Sequence, residues 1–137
     1  MGIHAIAKRA KEMNVNLLVA EAVQNKEKPL VEINKSQMLD KKRADGKTIV
    51  PKYSLSYAKF KGFNNPNLKL TGDFQKDMFL ETNGNQFFIN SKDGKALKLI
   101  IRYSEKIFGI SPKNRPKAQR ISLKELSRIY YKRLLGA

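Results

Sequence analysis

Cysteine is absent from this chain of 137 residues, so neither disulfides nor thiolate metal sites are available to it. That suits a reducing compartment without requiring one. Histidine occurs once, at His4, with no second histidine or nearby carboxylate to work with. It reads as an ordinary surface residue rather than a ligand or a base. No apolar run approaches the ~20 residues of a membrane-spanning helix. The opening stretch MGIHAIAKRAKEM has charges scattered through it, unlike a signal peptide. Gly2 invites N-myristoylation, but Ile6 holds the place where Ser or Thr belongs, and that reading is set aside.

Acidic residues are the other scarcity. Twelve Asp and Glu stand against 28 Lys and Arg, a net charge of +16. The excess is uneven. Lys35 to Lys61 holds eight basic and two acidic residues, and Lys113 to Arg133 holds eight and one. Between them, Gly62 to Pro112 is nearly balanced, with seven and five. Such a field attracts DNA, RNA or an acidic protein, and it opposes self-association wherever like patches meet. A solvated surface with no partner accounts for the same numbers. Apolar residues make up 41% of the chain, well above the level that signals disorder. At this length a single domain buries roughly two-thirds of its unfolded surface, enough for a core without staples.

Apolar spacing from Ile3 to Gln24 predicts an amphipathic helix, bent where propensity dips at Asn14-Val15-Asn16. Pro29 is expected to end it. A short helix follows over NKSQMLDKKRADGK, capped by Asn34 or Ser36 and closed at Asp45-Gly46. After the extended TIVPKYS, the segment SLSYAKFKG has Ser54 or Ser56 as cap and Gly62 as stop, with Tyr57 and Phe60 on one face. Leu68 and Leu70 alternate like a strand, and Thr71-Gly72-Asp73 reads as a strand entry. Met78 to Thr82 and QFFINS flank Asn83-Gly84, a strong hairpin signal. A lone ribbon is marginal in water, so helices must cover one face. Phe74, Phe79, Phe87 and Phe88 are the expected core aromatics. A helix runs from near Leu97 to about Lys106, and SPKNRPK is a basic loop. In the final helix Ser122 and Glu125 form a capping box, and Leu123, Leu126, Ile129, Tyr130 and Leu134 form the apolar stripe.

The fold class expected is therefore α+β, with N-terminal and C-terminal helices packed on a small antiparallel sheet. The expected divisions of this one domain are an N-terminal helix (1–28), short helices and loops (29–67), a hairpin region (68–91) and C-terminal helices (92–137).

Little in the sequence points to catalysis. There is no cysteine nucleophile, no histidine pair and no Gly-x-Ser-x-Gly elbow. Asp73 and Asp77 are four apart but fall in chain expected to be extended, away from any shared helix face. A carboxylate pair assembled by folding remains the enzyme option. No cofactor, metal, membrane or small-molecule substrate is expected. Polyanion contact has better support: Lys124, Arg128 and Lys132 recur every four residues in the last helix, led by Lys113, Arg115, Lys117 and Arg120. Such a stripe can neutralise several phosphates, and Tyr131 beside it can stack on a base. A solvated helix face is the plain alternative.

The order of short motifs resembles that in small virion proteins of tailed bacteriophages, the neck or tail-completion class, including versions from crAss-like gut phages. Carrying it are INKSQML, DGKTIVPKYSLSYAKFKG, LKLTGDF and INSKDGKALKLIIRYSEKIFGIS, then a closing basic helix. Within them stand Gly46, Ile49, Pro51, Tyr53, Ser54, Tyr57 and Lys61, then Leu70, Thr71 and Gly72. Where the class often has Tyr-Ala…His…Gly, this chain has Ile107-Phe108-Gly109-Ile110. The resemblance implies a ring-forming homo-oligomer of the virion that joins portal to tail. Its partners would be portal, neck or tail subunits, with contact to packaged DNA. The rival expectation is a stand-alone DNA- or RNA-binding protein that grips the phosphate backbone without sequence specificity.

Overall fold

In the computed structural model, which describes residues 2–69, 72–84 and 86–136, the chain is 60% helical with one two-stranded antiparallel sheet, an α+β arrangement. The N-terminal region is two helices rather than one bent helix. Helix α1 (Ile3–Glu12) ends at Met13, and the Asn14 side chain accepts the Leu17 N–H at 3.3 Å to start α2 (Val15–Asn25). Helix α1 buries none of its residues.

Pro29 does not terminate anything. It is the third residue of α3 (Glu27–Leu39), where the N–H it lacks would have had no intrahelical acceptor. Neither Asn34 nor Ser36 caps a helix, since both lie inside α3. Asn34 is fully buried and serves the fold differently: its amide donates to the Ile107 carbonyl at 3.0 Å and accepts the Gly109 N–H at 2.9 Å. Gln37, one turn on, donates to the Gly109 carbonyl and accepts from the Ser111 N–H and the Asn114 amide, each at 2.9 Å. Two side chains of α3 therefore satisfy the backbone of a segment more than 70 residues away.

Helix α4 (Leu55–Lys61) forms as expected, with Ser54 accepting from the Tyr57 N–H and Gly62 left-handed at φ +84°. Tyr57 and Phe60 do share a face, their rings 5.9 Å apart. The strand expected at Leu68 and Leu70 is not found. Leu68 has φ +62°, outside strand geometry; Leu70 and Thr71 lie outside the described residues. Gly72 and Asp73 open a single helical turn, α5 (Asp73–Lys76), and not a strand. Asp73 and Asp77 accordingly flank one turn, the Asp77 N–H bonded to the Asp73 carbonyl, contrary to the extended reading.

Strands β1 (Met78–Asn83) and β2 (Gln86–Ser91) pair in the register Leu80↔Ile89, with Gly84 at φ +63° in the turn. Met78, Leu80, Ile89 and Ser91 face inward and are buried. Phe74 joins the core and Phe79 and Phe87 are half-buried, but Phe88 points off the other face and is 53% exposed. Pairing with Glu81 put it there: alternation sends every second residue to solvent. Helices α2 and α3 lie against β1, and α7 packs along α2. The main core gathers Leu30, Val31, Met38, Ile49, Phe74, Leu80 and Ile107 among others; a smaller cluster joins Leu18, Ala22 and Ile129 between α2 and α7.

Helix α6 (Ala96–Tyr103) stops before Lys106, because Ser104 adopts φ +86° and a single 3-10 turn over Glu105–Ile107 follows. The expected basic loop is mostly helix. A 3-10 turn over Pro112–Asn114 leads straight into α7 (Arg115–Leu134), with Pro116 in its first turn. Ser122 and Glu125 therefore sit mid-helix and form no capping box. Leu123 leaves the apolar stripe at 59% exposure; Ala118, Glu125 and Ile129 are the buried positions. No helix among the described residues is long and apolar enough to cross a membrane.

Candidate polyanion-binding surface

Because α7 begins at Arg115, most of the basic residues near the C-terminus share one continuous helix. At ~100° per residue, Lys117, Arg120, Lys124, Arg128 and Tyr131 fall within an arc of about 80°. All five are exposed. Lys132 lies at the margin of that arc and Arg115 on the far side of the helix, so Arg115 does not join the ridge. Lys113 precedes it, exposed in the 3-10 turn. The structure thus brings together five of the eight positions singled out in the sequence.

The ridge is less cationic than a count of Lys and Arg implies. Arg128 donates from Nε and an Nη to the two oxygens of Glu125, at 2.7 and 2.9 Å. Glu125, its side chain only 6% exposed, also accepts from the Asn25 amide of α2 at 3.0 Å. The Arg128 guanidinium holds the Glu125 carboxyl down at about 2, with the Asn25 bond assisting, against the cost of burial. Arg128 is therefore half structural: its charge is matched, while its outer edge stays open to a phosphate. Arg133 is likewise paired, with Glu21.

An open groove of about 460 Å³ runs beside the ridge, lined by Lys26, Lys124, Glu125, Ser127, Arg128 and Tyr131. Tyr131 is 60% exposed, its ring edge-on to Tyr130 at 5.7 Å. Lys26, from the junction of α2 and α3, replaces some of the charge that Glu125 removes. Its role was invisible to sequence spacing, since it lies about a hundred residues from its groove partners. A second basic cleft, between α4 and α6, likewise joins residues too far apart in the chain for spacing to reveal.

Among the described residues no three His, Cys, Asp or Glu side chains gather in a way that could hold a metal ion. No family model, curated protein or solved structure matches this chain.

Proposed function

We propose that this protein is a structural subunit of a tailed-phage virion, a ring-forming neck or tail-completion protein that joins portal to tail. Its work is to fill and bind, with no bond-making step. The observation that carries the reading is an asymmetry of the hairpin. On β1, the Leu80 N–H donates to Glu27 at 2.8 Å and the Leu80 carbonyl accepts from Gln24 at 3.4 Å, so side chains of α2 and α3 close that edge. Among the described residues no third strand pairs with β2, and Phe88 stands exposed beside its open edge. Open edges pair with other chains unless something prevents it. The β2 edge meeting a different surface of the next copy makes a head-to-tail contact, which closes into a ring when the rotation allows, whereas β2 meeting β2 makes a two-fold dimer. The motif order of the sequence supports the phage assignment, and the basic surface suits packaged DNA or acidic neighbours.

Two measurements test this. Mass spectrometry of purified virions from a host carrying the gene should detect the chain in the particle. Sedimentation of the purified protein should show an oligomer that Phe88→Lys reduces to monomer without changing the helical signal. A particle lacking the chain, or a protein monomeric at every concentration, removes the reading.

The α7 ridge favours the second reading, a stand-alone binder of phosphate backbone. On that reading the protein is monomeric, binds DNA and RNA without regard to sequence, and loses affinity steeply with salt.

A further inference from the structure

The basic cleft between α4 and α6 has a volume of about 410 Å³, within the range of small-ligand sites. Its floor is apolar, made by Leu68, Phe74 and Leu99. Four cations ring it: Lys61, Lys69, Lys95 and Arg102. No carboxylate lines the cleft among the described residues, and none of these four cations belongs to an ion pair there. Like charges collected around a dented apolar floor repel one another, and an anion relieves that repulsion.

Three of the chain's five tyrosines, Tyr53, Tyr57 and Tyr103, line the same cleft. Tyr53 and Tyr57 meet edge to face with centroids 4.7 Å apart, which leaves the 37% exposed Tyr57 ring fixed and partly open. Arg102 is positioned too, its Nε donating to the Tyr103 hydroxyl at 3.1 Å. Burial raises the Tyr53 pKa, as do the neighbouring Tyr103 and Tyr57, so the Tyr53 phenol adds no negative charge to the cleft.

We propose that this cleft binds one nucleotide unit of a single-stranded nucleic acid, the base against Tyr57 and the phosphate among Lys61, Lys69, Lys95 and Arg102. A nucleotide carries a flat ring and a phosphate in one unit, and the cleft supplies a partner for each. An acidic peptide side chain brings the charge without the ring. The site is separate from the α7 ridge and independent of the virion assignment, since it needs no second copy of the chain.

The test is a titration of the full chain with a labelled thymidine tetranucleotide, followed by fluorescence anisotropy and by amide shifts. Lys69→Ala/Lys95→Ala changes two exposed residues outside the core and should weaken binding at least tenfold, to below a tenth of the native affinity. Tyr57→Ala should weaken it about tenfold, the scale of one lost stacking contact. Shifts should concentrate in residues 53–61 and 95–103. Lys117→Ala/Lys124→Ala on α7 should leave those shifts in place. Inorganic phosphate alone binding as tightly as the tetranucleotide overturns the proposal. So does tetranucleotide binding indifferent to the Lys69/Lys95 pair, or an acidic peptide that produces these shifts where the tetranucleotide does not.

Discussion

Asn34 shows what a single polar side chain does for this fold. Fully buried in α3, it satisfies the buried Ile107 carbonyl and the partly buried Gly109 N–H, and the first of these would otherwise be buried without a partner. Asn34→Ala should therefore destabilise the protein by about 1–3 kcal/mol in denaturant unfolding, the cost of stranding buried polar groups. Gly109 belongs to the same joint. Its φ of +124° would strain any other residue, and an added Cβ would lie 3.0 Å from the Ala44 Cβ. Gly109→Ala should lower the melting temperature as well. A third residue, Glu125, ties stability to pH. Its folded pKa, about 2, lies below the ordinary 4.5, so its contribution is whole above pH 4.5 and fades as pH falls toward 2. Acid unfolding of the native protein should thus be steeper between pH 4.5 and 2 than that of Glu125→Gln, which has no carboxylate to protonate.

At the scale of elements, α7 does two jobs with two faces. Ala118, Ile129 and the Glu125–Asn25 contact hold it to the body, while Lys117, Arg120 and Lys124 project outward. Replacing those three with alanine should leave the fold intact. Each lost phosphate contact takes about 0.9 from the log–log slope of affinity against salt on duplex DNA, so the triple variant should lower that slope by about 2.7. An unchanged slope would show that the ridge touches no phosphate. Arg128→Ala is the instructive contrast: it leaves Glu125 without its guanidinium, so it should cost stability where the outer lysines do not. The hairpin is divided in the same way. One edge is closed by Glu27 and Gln24, and the other is open beside Phe88.

For the whole molecule, a net charge of +16 sets the terms of association. Subunits meeting through β2 must bring like-charged bodies together, so oligomers should be favoured by salt, whereas binding to a polyanion should be weakened by it. Sedimentation and nucleic-acid titration across ionic strength should therefore move in opposite directions. If both weaken with salt, association runs through the bound polyanion and not through the hairpin edge.

The sequence by itself determined the local signals. The Met78–Ser91 hairpin, the Ser54 cap, the Gly62 stop and the helical C-terminus rest on turn chemistry and short-range periodicity, and they stand as expected. Tertiary structure decided what those signals could not contain. Pro29 lies inside a helix because the first turn has no use for its missing N–H. Asn34 reads as a cap in sequence, yet it is spent on a backbone 73 residues away. Glu125 has the spacing of a capping box but is drawn instead to Arg128 and to Asn25, 100 residues distant. The cleft between α4 and α6 exists only because the chain brings residues 53–61 and 95–103 together. Local preferences are weak, each on the order of a kcal/mol or less, whereas burying an unpaired polar group costs ~1–3 kcal/mol. Where the two compete, distant partners decide, and sequence spacing carries no record of them.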